Sequence, residues 1–230
     1  MWCEMNKPWP AGQHARADFP RFGLLQFAHR FPAETSKRVL KVVGDVTNEL
    51  VVADVLDGLP WVEQVSDFHC VTTWSRRAVR WGGVRFIDFY EQVIAPQAQP
   101  LADARTFILR GQDGARTMML LEDLLAPDVL IATTLDGAPL PVEHGAPMRL
   151  VAPAHYGYKS VKHLSRIEIR ADESRFRPAA FRFMDHPRAR VAHEERGRGL
   201  PGWLLRYLYR PLVAPTVHHV SRAMENHRNA

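Results

Sequence analysis

The chain lacks several features that would each point to a particular class of protein. Only two of its 230 residues are cysteines, Cys3 and Cys70, which disfavours a disulfide framework. No stretch approaches the roughly 20 consecutive apolar residues of a membrane-spanning helix. The first thirty residues also lack the charged start and apolar run of a signal peptide or a twin-arginine leader. We therefore expect a cytoplasmic location.

Motifs for several common cofactors are missing as well. The histidines and cysteines do not form the two close pairs typical of structural zinc, and there is no haem-attachment signature, Gly-rich phosphate loop or internal repeat. What is present is an ordinary globular composition, 46% hydrophobic and 24% charged. The 17 prolines and 14 glycines favour many short elements. These features predict an α+β fold.

Positive charge is concentrated at the C-terminal end. The net charge is +5, and the stretch 166–230 holds thirteen Arg, no Lys and seven acidic residues, a balance of +6 that leaves about −1 elsewhere. Such an end is compatible with a basic module that binds nucleic acid or acidic lipid. Prolines and carboxylates interrupt its arginines, however, so we favour a solvated protein surface and expect no nucleic-acid partner.

Alternation and turn signals predict the order of the elements. Strands are expected at 38–46, 61–70, 106–110, 117–120, 148–153 and 165–170. The turns Gln112-Asp113-Gly114 and Asp136-Gly137 separate some of them. The glycine pair Gly82-Gly83 is expected to precede a helix over 84–93, whose apolar residues Phe86, Phe89, Tyr90 and Val93 have helical spacing.

Cys70 is the first residue that could carry chemistry. It follows a predicted strand, in a segment rich in hydrogen-bonding side chains, and its thiolate could serve as a nucleophile or a metal ligand. The neighbouring His69 would point to the opposite face of the strand, so it is a poor general base for Cys70. A small buried hydrophobic residue remains the simplest alternative from composition alone.

A second group of chemically versatile residues lies between residues 143 and 162. Arg149, Lys159 and Lys162 bring positive charge to the same stretch as the hydroxyl of Ser160, around the flexible Gly157. Cationic side chains and loop N–H groups together suit a phosphate. The alternative is a solvated basic loop before a strand.

In combination and order, these segments resemble the molybdenum-binding domain of the sulfite oxidase family, over about residues 37–170. The motifs that carry the resemblance are 68–75, 81–84, 136–141, 144–151 and 155–162 leading to 166–168. The resemblance implies a sulfite oxidase-type fold of mixed sheets with short helices. It also implies Mo-molybdopterin as the cofactor, with Cys70 as the metal ligand and catalytic residue.

The resemblance implies a set of cofactor-binding residues beside the metal ligand. Some lie in the binding loop or just before it. Others are histidines near the metal, and a weakly matched N-terminal segment lies over the pterin. In chain order these residues are Arg21, Phe22, His69, Cys70, His144, Arg149, His155, Lys159, Ser160, Val161 and Lys162.

The implied function is two-electron oxygen-atom transfer on a small substrate by a molybdopterin-dependent oxidoreductase. The residues after the cysteine, Val71 to Arg77, are closer to the bacterial reductase-like branch than to enzymes that oxidise sulfite. Reduction of an S-oxide or N-oxide is therefore an alternative to oxidation. No second redox centre is encoded, so we expect electrons to pass through a separate electron-transfer protein.

The chain divides into three parts in this interpretation. Residues 1–36 form an N-terminal segment that partly covers the cofactor, 37–170 form the oxidoreductase domain, and 171–230 form an arginine-rich extension. Within that extension, 201–213 predicts an amphipathic helix, with Trp203 and Tyr207 on its apolar stripe. This helix packs on the main domain or docks on a protein partner or a membrane surface, but is too short to cross a bilayer.

Overall fold

The structure is a computed structural model that describes residues 8–174 and 176–229. Two β-sheets form its centre, with short helices around them. The strands are β1 (His14–Ala15), β2 (Leu40–Gly44), β3 (Leu50–Val52), β4 (Trp61–His69), β5 (Trp74–Arg85), β6 (Thr106–Gly111), β7 (Arg116–Leu120), β8 (Leu130–Leu135), β9 (Ala138–Pro139), β10 (Arg149–Val151) and β11 (Leu164–Arg170). Cys3 lies outside the described residues.

The helices are few and mostly short. They are α1 (Phe86–Phe89), α2 (Leu121–Leu124), α3 (Gly202–Tyr209) and α4 (Val213–Arg228), a π-helix (Tyr90–Ala98), and 3₁₀ helices at Leu25–Phe27, Val142–His144, Arg182–Met184, Val191–His193 and Arg210–Leu212. Mixed sheets with short helices confirm the predicted α+β class. No helix in the described part of the chain is both long and apolar enough to cross a membrane.

The two sheets contain six and five strands. In the first, β5 pairs with β1, β4 and β8, while β8 also pairs with β9 and β10. In the second, the order is β3-β2-β11-β6-β7, and β2 runs parallel to β11. A single large core, which includes Phe86, Phe107, Ile131 and Ile167, draws side chains from both sheets and the helix between them.

The predicted turns are present and have the expected backbone. Asp136 and Gly137 both have positive φ, 51° and 83°, as a two-residue hairpin of the primed type requires between β8 and β9. At the β6–β7 turn, Gly114 has φ 88°, and the Asp113 carboxylate accepts a hydrogen bond from the N–H of Ala115 at 3.0 Å. Local turn chemistry therefore fixes both hairpins.

The glycine pair Gly82-Gly83 was expected to precede a helix that starts at residue 84, and this start is two residues too early. In the structure, β5 continues through both glycines and the helix starts only at Phe86. A Cβ at Gly82 would lie 2.3 Å from the Thr134 hydroxyl, and a Cβ at Gly83 would lie 2.2 Å from the Ile131 carbonyl. These glycines therefore permit close approach of β8 rather than a turn.

Candidate cofactor site

Cys70 lies at the tip of the tight β4–β5 hairpin. Its N–H donates to the carbonyl of Trp74 at 2.8 Å, and its own carbonyl accepts from the N–H of Thr73 at 3.2 Å. The side chain of Gln13 also donates to the Cys70 carbonyl at 3.0 Å. These bonds hold the backbone, and the hydroxyl of Thr72 lies within hydrogen-bond distance of the sulfur, 3.1 Å away.

Electrostatics keep this thiol protonated when it has no ligand. Burial raises the pKa of Cys70, and the hydrogen bond with Thr72 and the positive charges of Arg196 and Lys162 only partly oppose that effect. A metal that binds here must therefore displace the thiol proton. The residue is a free cysteine, 7% exposed.

His69 faces away from the thiol, as strand alternation predicts. Its Nδ1 forms a 2.7 Å hydrogen bond with the Ser75 hydroxyl, which in turn donates to the side chain of Gln13 at 2.8 Å. His155 is also buried, and its Nδ1 donates to the carbonyl of Arg188. Neither histidine lines the cavity beside Cys70, so the structure does not bring them together with the thiol.

Arg149 ties the start of β10 to the loop that follows it. Its guanidinium donates to the carbonyls of His144 and Ser160, both at 2.9 Å, and to that of Leu150 at 3.2 Å. The Ser160 hydroxyl accepts from the N–H of Ala152 at 3.1 Å, which fixes the same loop from the other side. Burial lowers the pKa of Arg149 to about 9.

Two lysines of this loop, three residues apart, point to different places. Lys162 donates to the carbonyls of Glu143 at 2.9 Å and Phe22 at 3.4 Å, and lines the cavities. Lys159 donates to the carbonyls of Met118 and Pro187 and lies 3.9 Å from the Asp185 carboxylate. Lys159 is absent from the cavity lining, so its assignment to the cofactor stays a prediction with no contact to support it.

Two adjoining cavities, of about 180 and 260 Å³, run between this loop and the Cys70 hairpin. Phe22, Gly157 and Lys162 line both, so the two form halves of one elongated site. The half beside the thiol is lined by residues that include Phe68, Cys70, Thr72, Trp74, His144 and Arg149. The other half is lined by residues that include Arg21, Asp113, Ser160, Val161 and Lys162.

Burial and neighbouring cations shape the charge of this site. His144 stacks on Phe19 with ring centroids 4.5 Å apart, and burial followed by the charges of Lys162 and Arg149 lowers its pKa to about 3. It is therefore neutral at physiological pH. Burial also lowers the pKa of Lys162 to about 7, with Arg149 and Arg21 adding to the effect. A bound anion would reverse these shifts.

Residues from both ends of the chain close the site, and we call them the cover: the lining residues within 19–27 and 178–220. Phe22, Leu24 and Leu25 come from the N-terminal part of the cover. The C-terminal part supplies Met184, Tyr209, Leu212 and Thr216 to the thiol half and Val220 to the other half. The C-terminal extension therefore packs on the main domain by one of its faces.

The cover is anchored at several points. Arg21 donates to the carbonyls of Ala28 at 2.7 Å and Arg30 at 2.9 Å, and its guanidinium lies 4.4 Å from the centre of the Phe31 ring. On α4, His227 stacks on Phe31 at 3.7 Å. Arg228, near the end of the same helix, is ion-paired with Glu143. The two ends of the chain therefore hold each other over the cavity.

The residues present fit a molybdopterin group. Within 8–174 and 176–229, no three His, Cys, Asp or Glu side chains converge as a metal site, so a metal held by the Cys70 thiol needs donors from elsewhere, such as dithiolene sulfurs. Lys162 uses two of its three N–H groups on carbonyls, and Arg21 uses three of its five. Donors therefore remain for a phosphate.

Sequence reasoning missed part of the lining. Phe68 is two residues before Cys70 on one strand, so alternation alone places both on one face. Tyr209, Thr216 and Val220 follow one another at helical spacing, a stripe that the Pro211 and Pro215 interruptions concealed. Met184 lies in the short 3₁₀ helix Arg182–Met184, which no sequence pattern indicated.

Comparison with known proteins gives the class of this domain. A family model described as the oxidoreductase molybdopterin binding domain matches residues 28–177. The chain belongs to this family, which confirms the resemblance and the molybdopterin cofactor. The matched region contains Cys70, Arg149 and Lys162, whereas most of the cover lies outside it.

Individual relatives are similar over part of their length. An uncharacterized oxidoreductase, YuiH, of Bacillus subtilis is 37% identical over 136 residues, which is 59% of this chain and 66% of the relative. A protein-methionine-sulfoxide reductase catalytic subunit, MsrP, of Xanthomonas campestris is 29% identical over 70% of this chain and 57% of the relative. Mitochondrial sulfite oxidase of Mus musculus is 28% identical over 65% of this chain and 27% of the relative. The chain thus spans two thirds or less of these relatives.

The fold also matches a solved structure. The sulfane dehydrogenase SoxCD from Paracoccus pantotrophus superposes with a TM-score of 0.50 at 21% identity, covering 58% of this chain and 38% of that chain. At this identity the likeness bears on the fold alone, and it confirms the predicted sulfite oxidase-type fold.

Proposed function

We propose that this chain holds Mo-molybdopterin through the Cys70 thiolate and catalyses two-electron oxygen-atom transfer on a small substrate. The observation that carries the proposal is the position of the Cys70 sulfur in one half of an elongated cavity whose other half gathers Arg21, Ser160 and Lys162. When bound, the molybdenum group supplies the exchange of two electrons together with one oxygen atom.

The residues of this chain perform three tasks in that reaction. The Cys70 thiolate is a soft metal ligand that the hairpin holds in place. Lys162 and Arg21, with the Ser160 segment, hold the phosphate by charge-assisted hydrogen bonds. Phe68, Trp74 and the apolar part of the cover exclude water from the thiol half and leave it accessible to a small substrate.

Reduction of a neutral organic S-oxide or N-oxide is the direction that the thiol half supports better. Many side chains that line the thiol half, including Phe19, Phe22, Leu24, Leu25 and Leu212, are apolar. The cations there already donate to main-chain carbonyls. Reduction consumes two electrons and two protons, breaks the S=O bond of the sulfoxide or the N–O bond of the amine N-oxide to give the parent sulfide or amine, and releases the oxygen as water. The MsrP relatives, named as methionine-sulfoxide reductases, agree with this direction.

The electrons require a separate partner protein in this proposal. The alternative of a non-enzymatic basic module has less support, because many C-terminal arginines are occupied within the structure. Arg188 is ion-paired with Glu122 and Asp123, and Arg190 with Glu195. Arg196 is fully buried. These arginines stabilise the fold and are not available to a polyanion.

Elemental and pterin analysis of protein from a molybdenum-replete host tests the proposal. We expect about one molybdenum and one tricyclic pterin per chain. Dye-coupled assays with a dialkyl sulfoxide, an amine N-oxide and sulfite then separate the directions, and we expect turnover with the oxides and reduced dye. Zinc alone, or no metal under replete conditions, contradicts the cofactor assignment. Turnover with sulfite alone contradicts the direction.

A further inference from the structure

Exposed apolar side chains are concentrated in one stretch of the molecule. Of the twelve large hydrophobic side chains that are exposed in the described residues, seven lie between 181 and 212. We call six of them the C-terminal apolar face: Phe181, Phe183, Leu200, Trp203, Tyr207 and Leu208. Phe181 is 73% exposed, and its ring stacks on that of Phe183 with centroids 6.0 Å apart.

The two parts of this face are neighbours in space. Gly197 sits against both the carbonyl of Phe183 and the side chain of Leu205, so the backbone of Phe183 lies close to α3. The N–H of Arg198 donates to the same carbonyl at 2.8 Å. Exposed apolar groups clustered in one part of a domain are typical of an interaction site.

Helix α3 has apolar side chains on two sides, and the side with more of them faces the solvent. Leu205 and Tyr209, four residues apart, are buried against the domain. Trp203, Tyr207 and Leu208 point outward and are 55%, 61% and 55% exposed. An amphipathic helix ordinarily places its apolar side inward. The outward apolar side of α3 therefore lacks the contact that would remove it from water.

The charges around the face are positive and unpaired. Arg182, between the two phenylalanines, and Arg210, two residues after Leu208, are exposed and take part in no ion pair among the described residues. The nearby acidic groups are already used, since Glu194 pairs with Arg196 and Arg206, and Glu195 pairs with Arg190. The surface that would complement this face carries negative charge.

We propose that the C-terminal apolar face docks peripherally on an anionic lipid bilayer. Trp and Tyr beside Leu and Phe, with arginines at the rim, match the chemistry of the interface between headgroups and acyl chains. Leu212, one turn beyond Leu208, is exposed and also lines the thiol half of the cavity. Docking therefore places the opening of the cavity at the edge of the membrane contact.

Co-sedimentation of the full-length holoprotein with vesicles tests the proposal. We expect binding to vesicles of phosphatidylglycerol and phosphatidylcholine, weaker binding to phosphatidylcholine alone, and release by salt. Replacing Trp203→Ser together with Tyr207→Ser should lower the partition coefficient by about tenfold or more. Arg210→Gln should lower it by about fivefold on the anionic vesicles only.

The matched controls are exposed residues of the first sheet, outside the C-terminal apolar face. Trp61 on β4 is 53% exposed, so Trp61→Ser removes an equally exposed indole outside the face, and Arg85→Gln removes an exposed charge there. Neither should change binding. Quenching of tryptophan fluorescence by brominated acyl chains gives a second measurement, in which Trp203→Phe should keep binding but lose most of the quenching, whether or not the double variant folds.

Several outcomes would overturn the proposal. They are no sedimentation with either vesicle, equal binding to anionic and neutral vesicles, and the same loss of binding in the control variants. Loss of a homo-oligomer or of a protein complex in the face variants, with vesicle binding unchanged, would assign the face to a protein partner instead. Cofactor content and the unfolding temperature of each variant show that its fold is intact.

Discussion

The cofactor site is built from two regions that contribute different chemistry. The region matched by the family model, residues 28–177, supplies the thiol of Cys70 and the cations Arg149 and Lys162. The cover supplies mainly apolar side chains, among them Leu25 and Leu212. The difference indicates that the matched region supplies most of the groups for cofactor binding, with Arg21 of the cover as the exception, whereas the cover shapes access to the thiol half.

The largest effect that separates the two regions is expected from Cys70→Ser. An alcohol oxygen is a poorer ligand than a thiolate for a high-valent metal held by sulfur, so dye-coupled turnover should fall below detection. The cations are untouched, so the fold and much of the pterin content should remain. The matched control is Cys3→Ser, which should retain full activity. Comparable turnover in Cys70→Ser would show that the thiol is not the metal ligand.

A pair of lysine variants sharpens the comparison within the matched region. Lys162→Met removes a charge-assisted phosphate contact worth roughly 1.5–3 kcal/mol, and should weaken cofactor binding about 10- to 150-fold. Lys159→Met instead leaves the Asp185 carboxylate, 9% exposed, without its cation. We expect lower stability but unchanged cofactor affinity. Pterin titration of apoprotein and chemical denaturation measure the two effects separately.

One result for the two lysine variants would contradict this assignment of roles. If Lys159→Met weakens cofactor binding as much as Lys162→Met and leaves the free energy of unfolding unchanged, Lys159 contacts the cofactor as the sequence resemblance implies. In that case the Lys159 ammonium group would contact Met118, Pro187 and Asp185 only when the cofactor is absent.

An ion pair of the C-terminal extension, between Arg190 and Glu195, gives the stability of the fold a pH dependence. Burial alone would raise the pKa of Glu195, but hydrogen bonds from Arg190 lower it to about 2 from an ordinary 4.5. The ionised carboxylate therefore stabilises the folded state fully above pH 4.5, and this contribution is lost as the pH falls towards 2. Because the side chain is 15% exposed, we expect about 2 kcal/mol at neutral pH.

Denaturation of Glu195→Gln at several pH values checks this contribution. The variant should be less stable than the parent protein at pH 7, and the difference should shrink below pH 4.5. Glu225→Gln serves as a control, because Glu225 is exposed and belongs to no ion pair among the described residues. A difference that stays constant with pH would mean that the charge of the Glu195 carboxylate does not stabilise the folded state.

Residues whose role depends on local chemistry were predictable from the sequence. The strand before Cys70 and the turns at Asp136-Gly137 and Gln112-Asp113-Gly114 follow from alternation and turn residues, and helical spacing indicated the helix after β5, although it starts at Phe86 and not at residue 84. The motif order further identified the family. In each case the information lies within a short stretch of chain.

Features that depend on distant contacts were not predictable in the same way. Gly82 and Gly83 lie within β5, where the close approach of β8 leaves no room for a Cβ. Lys159 and Lys162 share one motif, but only the folded loop shows that their ammonium groups diverge. Tyr209 reaches the cavity from helices beyond the family match. Such pairings over long separations leave no periodic signal.

The smallest effect is expected at the opening of the cavity, from Leu212→Ala. Leu212 is 48% exposed and contacts the thiol half without touching the cations. Removing it enlarges the opening, so kcat/KM for a bulky sulfoxide should rise relative to that for dimethyl sulfoxide by about threefold to tenfold. Cofactor content should stay unchanged. Leu101→Ala, at a similarly exposed leucine distant from the site, is the matched control. An equal change in kcat/KM for both substrates would assign Leu212 to stability and would place substrate selection inside the matched region instead of the cover.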